Sequence, residues 1–144
     1  MFTLNCKGTL ISLEQPVVMG IINTTPDSFY GGSRAATLSA ALEKANTMIQ
    51  EGAFILDIGG QSTRPGSVQI GANEEMDRVV PVIESLKKAF PSILVSVDTY
   101  DPTVAMAAVN AGADIINDIS GGRFLDNMLS AVASLNVPYI CMHS

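Results

Sequence analysis

Ile55-Leu56-Asp57-Ile58-Gly59-Gly60-Gln61-Ser62-Thr63-Arg64-Pro65-Gly66 starts as a strand and ends as a polar loop. The apolar run that opens at Phe54 carries one acid, Asp57, in its interior. Two glycines then close the strand, because glycine alone accepts left-handed or crowded backbone at no steric cost. Ser62, Thr63 and Arg64 can each bind a polar or anionic ligand, and Pro65 stiffens the loop by fixing one backbone angle. By itself the stretch reads equally well as a strand, a turn and an exposed arginine, since turns are rich in such residues. The remainder of the chain decides between the two.

The 144 residues are 47% hydrophobic and 15% charged, enough apolar material for a sizeable core and the length of one domain, 1–144. Eight Lys+Arg against fourteen Asp+Glu leave a net charge of -6. That balance argues against nucleic acid and membrane surfaces as partners, both of which select basic patches. No apolar run approaches the roughly 18 residues of a membrane span. Met1-Phe2-Thr3-Leu4-Asn5-Cys6-Lys7 lacks the basic start and apolar core of a signal peptide, so a cytoplasmic protein is expected. Cys6 and Cys141 fit no metal spacing and read as buried free thiols. With a single histidine, the chain is too poor in soft ligands for zinc.

Outward from the opening stretch, strands and helices alternate. Residues 2–5 and 9–13 flank Lys7-Gly8 as a β-hairpin. Val17-Val18-Met19-Gly20-Ile21-Ile22, closed by Asn23, is a continuous apolar strand of the kind buried on both faces of a parallel sheet. Leu38, Ala41, Leu42, Ala45, Met48 and Ile49 share one helical face and predict a helix over 37–50, ending at Gly52. The quoted stretch supplies a strand at 54–58. A helix is expected over 74–89, with Asn73 as N-cap, Glu74 and Glu75 in its first turn, and a kink or break near Val80 caused by Pro81. Then come a strand at 93–97 closed by Asp98 and a helix opened by Asp101-Pro102 and stopped at Gly112. A strand at 115–116 closed by Asn117, a helix at 125–135 and a strand at 137–142 closed by His143 complete the series. Gly52-Ala53-Phe54-Ile55-Leu56-Asp57 and Gly112-Ala113-Asp114-Ile115-Ile116-Asn117 are weakly repeated, as one βα unit used twice.

This pattern predicts an α/β protein with a parallel sheet. Asn23, Asp57, Asp98, Asn117 and His143 sit at or near the ends of successive strands. One such residue is an ordinary turn residue; five at the edge where α/β proteins bind ligands point to a site. Asp accepts hydrogen bonds while Asn both donates and accepts, so together they suit a flat heterocycle with amide and amino groups. The patterns leave two topologies open: a complete flavodoxin-like open sheet, or the first half of an eight-stranded barrel, which needs about 250 residues.

Longer motifs carry a resemblance to a known family. Ile21-Ile22-Asn23-Thr24-Thr25-Pro26-Asp27-Ser28-Phe29 resembles the first signature of the dihydropteroate synthases, and 52–66 resembles the second. Ser96-Val97-Asp98-Thr99 and Ile115-Ile116-Asn117-Asp118-Ile119-Ser120-Gly121 resemble two more, in the expected order. The resemblance implies a TIM-type (β/α)8 barrel, of which this chain would hold the N-terminal hairpin and about five βα units. It implies a transferase of folate biosynthesis that joins 4-aminobenzoate to 6-hydroxymethyl-7,8-dihydropterin pyrophosphate with Mg²⁺ and releases pyrophosphate. Sulfonamides compete for the aminobenzoate site of such enzymes, and the full-length proteins are commonly homodimers.

By the same resemblance Asn23 would ligate Mg²⁺ near the pyrophosphate, as a hard amide oxygen can. Asp98 and Asn117 would hydrogen-bond the pterin, with Ile119 and Met142 as apolar walls. Thr63, Arg64 and Pro65 would form the aminobenzoate site with Phe29. Asp57 is expected to be structural or to shape the pocket, because a buried carboxylate needs partners. The family has an acid in its first loop where Gly31 stands here. Its later Asp, Lys and Arg–His motifs have no counterpart in these 144 residues. The chain by itself is therefore expected to be inactive. Two alternatives stand beside this reading: an inactive half-barrel that at most binds pterin or a complementary half, and a methyltetrahydrofolate:corrinoid methyltransferase. The second is disfavoured because methyl transfer has no use for an aminobenzoate loop.

Overall fold

The structure is a computed structural model that describes residues 2–25, 33–61 and 69–143. An antiparallel hairpin, β1 (Phe2–Cys6) and β2 (Thr9–Leu13), precedes β3 (Val18–Asn23), α1 (Arg34–Gln50), β4 (Ala53–Gly59) and α2 (Ala72–Ala89). They are followed by β5 (Leu94–Asp98), α3 (Pro102–Ala111), β6 (Ile115–Asp118), α4 (Met128–Leu135) and β7 (Tyr139–Cys141). Strands β3 to β7 form one parallel sheet in the order β3-β4-β5-β6-β7. Each crossover steps the same way. A flavodoxin-like sheet would reverse direction at its first strand, so the sequential order decides for the barrel-type arrangement.

The helices cover one face of this sheet. Ile22, Leu56, Ile58, Val95, Val97 and Ile116 point into that layer and meet Ala41 and Ala45 of α1, Val79, Ile83 and Leu86 of α2, and Val104 and Ala108 of α3. Successive strand residues point to opposite faces, so the intervening residues line the other side. Its lower end is plugged by the hairpin, where Leu4, Cys6 and Ile11 pack on Met19, Ile55, Leu94 and Ile115.

Local signals explain the helix ends. Ser33 Oγ accepts from the amide of Ala36 at 3.0 Å and caps α1. Asp101 Oδ1 accepts from Thr103 N at 2.8 Å and Val104 N at 3.4 Å, with Pro102 opening α3. Gly112 ends α3 with φ at +122°, and a Cβ there would lie 3.0 Å from Lys87 Cγ, so both backbone and packing favour glycine.

Several expectations are corrected. Helix α2 begins at Ala72 after Gly71, not after Asn73, and Ala72 packs against the core. It runs through Pro81 without a break. The missing N–H removes one helical hydrogen bond, while Val79, Val82, Ile83 and Leu86 are buried on both sides of the proline and hold the helix in place. Helix α4 begins at Met128 rather than 125, because Asn127 is left-handed with φ at +70°; further upstream the Asp118 carboxylate ties 120–122 into turns, accepting from Ser120 N, Ser120 Oγ and Gly122 N at 2.8, 2.7 and 2.9 Å. Strand β3 is not buried on both faces, since Ile21 is 56% exposed on the side away from the helices. Of the two thiols expected to be buried, Cys6 is, but Cys141 is exposed on the last strand, β7. Among the described residues no helix is long and apolar enough to cross a membrane.

Candidate functional site

The site is set by strand register on the face away from the helices. Ile21, Asp57, Ser96 and Ile115 lie side by side in one row. Two residues further along, Asn23, Gly59, Asp98, Asn117 and Ile140 form the next row, at the C-terminal edge. Three of the five strand-end residues expected from sequence, Asn23, Asp98 and Asn117, therefore share this edge. Asp57 does not; it lies one row below, and Gly59 holds its place. His143 lies beyond β7, which contributes Ile140 instead.

The substitution of Gly59 for a side chain opens the row. A Cβ built there would lie 3.4 Å from Asn23 Oδ1 and 3.4 Å from Asp98 Oδ2, so these two oxygens flank a bare glycine floor. Thr24 straps the chain leaving β3 onto this point, its N and Oγ1 both donating to Gly59 O, at 2.7 and 3.0 Å.

Asp57 is 2% exposed beneath the row. Ser96 Oγ donates to its Oδ1, and Asn117 Nδ2 donates to its Oδ2 at 3.2 Å. Burial pushes the Asp57 carboxyl above the usual carboxylate range, and the two donors oppose that shift. Asp98 is pushed up to about 7, first by burial and then by the negative charges of Asp57, Glu75 and Asp118. It thus changes charge near neutral pH.

Ile119, Asp98, Thr99, Tyr100, Gln61 and Phe124 line a 140 Å³ cavity beside the row. Tyr100 and Phe124 meet edge to face with ring centroids 5.4 Å apart. Met142 lies apart from that lining. Its amide donates to Asp118 O at 3.1 Å, which holds it against the loop after β6, and it is 41% exposed. Phe29, Gly31, Thr63, Arg64 and Pro65 lie outside the described residues. Flanking 62–68, Gln61 grips Ile70 with both amide atoms, Nε2 donating to Ile70 O at 3.0 Å and Oε1 accepting from Ile70 N at 3.1 Å. Gln61 Nε2 also donates to Oε1 of the buried Glu75 at 3.2 Å, whose carboxyl is raised by burial against opposing hydrogen bonds from Thr99 and Gln61.

Ser96, Gly59, Tyr100 and Phe124 were missed by the sequence reading. A serine inside the apolar run Leu94-Val95-Ser96-Val97 was the available signal for the first. Tyr100 and Phe124 had none, since they meet only in three dimensions.

A larger cavity of 460 Å³ lies between α1 and α2. Its arginines are already matched with acids, Arg34 with Asp77 at 3.5 Å and Arg78 with Glu74 at 2.9 Å. Arg78 Nη1 also donates to Gly60 O at 2.9 Å. The row of Asn23, Asp98 and Asn117 is the stronger candidate, because its donors and acceptors face an open floor.

These features define a βα-barrel-type protein with a polar hydrogen-bonding row at the C-terminal edge of its strands. Residues 19–144 match the family described as pterin binding enzymes, and the chain belongs to that family. It is 50% identical over 131 residues to a dihydropteroate synthase of Bacillus subtilis, a match covering 91% of this chain and 46% of that protein. The structure of Xanthomonas albilineans dihydropteroate synthase with 4-aminobenzoic acid superposes with a TM-score of 0.89 at 47% identity, covering 98% of this chain and 51% of that one. The structure of the same enzyme with 7,8-dihydropteroate gives a TM-score of 0.84 at 43% identity, covering 98% of this chain and 50% of that one. The chain thus spans about half the length of the relatives it matches, and its sheet corresponds to about half of their barrel.

Proposed function

We propose that this chain contributes the pterin-binding part of a dihydropteroate synthase, the enzyme that condenses 6-hydroxymethyl-7,8-dihydropterin pyrophosphate with 4-aminobenzoate. The observation that carries this reading is the adjacency of Asp98 and Asn117 at one level of the sheet edge. A carboxylate accepts from neighbouring N–H groups of a heterocycle edge, while an amide supplies the complementary acceptor and donor. Ile119 offers an apolar wall beside Asp98. Met142 is proposed as a second wall on the resemblance alone. Phe29, Thr63, Arg64 and Pro65 are proposed for the aminobenzoate side on the same ground, and sulfonamides are expected to compete there.

Among the described residues no three His, Cys, Asp or Glu side chains gather to cage a metal. Mg²⁺ needs no such cage, since it keeps waters and takes one or two protein oxygens together with substrate phosphates. Asn23 Oδ1 at the open glycine floor fits that use and is the proposed ligand. When bound, Mg²⁺ would neutralise charge building on the departing pyrophosphate. Asp98 and Asn117 would orient the pterin, so that its methylene faces the arylamine. An arylamine is a neutral nucleophile and requires no strong base.

Calorimetric titration of the chain with the dihydropterin pyrophosphate and Mg²⁺ tests this reading. Binding weakened at least about tenfold by Asp98→Ala and by Asn117→Ala is expected. Binding unaffected by either substitution contradicts it. The 144-residue chain alone is expected to form no dihydropteroate, and measurable product would overturn that expectation. An assembly as homodimers is proposed for the full-length protein, to be read from its sedimentation.

A further inference from the structure

Asp57 is buried below the candidate site and touches no open space, yet it bonds to a residue proposed to bind ligand. We infer that Asp57 is a positioning residue that fixes the Asn117 amide in one orientation, with its carbonyl oxygen turned toward the ligand. The inference rests on the pterin-binding reading for its consequence, but not for its geometry.

The physical basis is the donor and acceptor count. An amide group can be turned over with little change in shape, so an unrestrained asparagine offers either its oxygen or its NH₂ to a ligand. Asp57 removes that choice. Ser96 Oγ donates to Oδ1 and Asn117 Nδ2 donates to Oδ2, so both carboxylate oxygens act as acceptors. Only the NH₂ side of Asn117 can face an acceptor. Its Oδ1 and one remaining N–H are left for the site. The strand register sets the arrangement: Asp57 and Ser96 are neighbours in one row, and Asn117 stands two residues beyond the Ser96 partner Ile115. A ligand edge that presents an N–H donor to Oδ1 is thereby met in one fixed orientation, with the remaining Asn117 N–H free for an acceptor beside it.

The test starts without ligand. In the ¹⁵N-labelled chain, solvent exchange of the Asn117 Nδ2 protons is expected to be slowed, restored to a free rate by Asp57→Val, and still slowed in Asp57→Asn. The asparagine variant keeps an oxygen to accept from Asn117, while its own NH₂ can donate to Ser96 Oγ. Free exchange in the wild-type chain, or exchange unchanged by Asp57→Val, overturns the inference. The wild-type rate decides the matter even if Asp57→Val does not fold.

Titration with 6-hydroxymethylpterin then reads the consequence. Asp57→Val is expected to weaken binding about tenfold in the wild-type background and not at all in Asn117→Ala, whereas Asp57→Asn retains affinity. Equal losses in both backgrounds would indicate general damage to the floor and overturn the positioning role. Absence of pterin binding by the wild-type chain would count against the functional reading alone, because the exchange rates still decide the orientation.

Discussion

The two faces of the sheet are made from alternate residues of the same strands, yet they have opposite chemistry. The helix-covered face carries Ile22, Leu56, Ile58, Val95, Val97 and Ile116, all fully buried. The other face carries Asp57, Ser96, Asp98 and Asn117, with Ile21 and Ile140 partly in solvent. The first face gains stability from removing apolar surface from water. The second places charged groups where burial is costly, which raises the Asp57 and Asp98 carboxyls. Substitutions one residue apart should therefore act on different properties.

The largest effect belongs to the apolar face. Leu56→Ala should lower unfolding free energy by about 3 kcal/mol in urea denaturation, through lost burial and the cavity left behind. A loss near zero would break the distinction between the faces.

Next in size is the pH dependence of pterin affinity. If the ligand donates to an ionised Asp98, whose pKa is about 7, affinity should rise about tenfold between pH 6 and pH 8. Titrations at the two values read this directly, and a flat profile would detach Asp98 from the ligand.

Asp98→Asn should act on stability with the reverse sign to Leu56→Ala. The wild-type carboxyl is raised from 3.8 to about 7, so the folded state holds its proton more tightly than the unfolded state. Stability from this group is thus lost as pH rises from about 4 to about 7, and the deficit is complete above 7. The melting temperature of Asp98→Asn should exceed wild type by about 4 °C at pH 8, with the difference shrinking toward pH 4. A difference independent of pH would contradict the burial of this charge.

The smallest effect concerns a helix end. Asp101→Ala removes the α3 cap and should cost about 1 kcal/mol in the same denaturation experiment. Its ligand affinity should stay at the wild-type value.

Much of the fold was legible because it follows local rules. Period-3.6 spacing gave α1, Asp101-Pro102 opened α3, and Gly112 closed it. The errors lie where packing overrides local preference. Pro81 weakens a helix, but buried neighbours on both sides keep α2 whole. Gly121-Gly122 in the run of 120–127 signals the turns, in which both glycines have positive φ, but not that Asn127 would also turn left-handed and delay α4 to Met128. The site was legible to the level of the strand ends but not the register. Asp57 and Gly59 differ by two positions along one strand, and sequence does not say which of them meets Asp98. That pairing puts Gly59 in the edge row and leaves Asp57 beneath it, as the buried carboxylate with partners that the sequence suggests. His143 was misplaced for the same reason, since the pairing of β7 on β6 puts Ile140 in the row. The polar loop residues Thr63, Arg64 and Pro65, with Phe29, were named from the motif resemblance and fall outside the described residues.

The most direct measurement is a backbone-amide NMR titration of the ¹⁵N-labelled chain with 6-hydroxymethylpterin. The account predicts the largest shift changes at Asp98, Thr99, Asn117 and Ile119, at the C-terminal edge of the sheet. Changes centred on Arg34, Asp77 and Arg78, around the larger cavity between α1 and α2, with Asp98 and Asn117 unmoved, would contradict it.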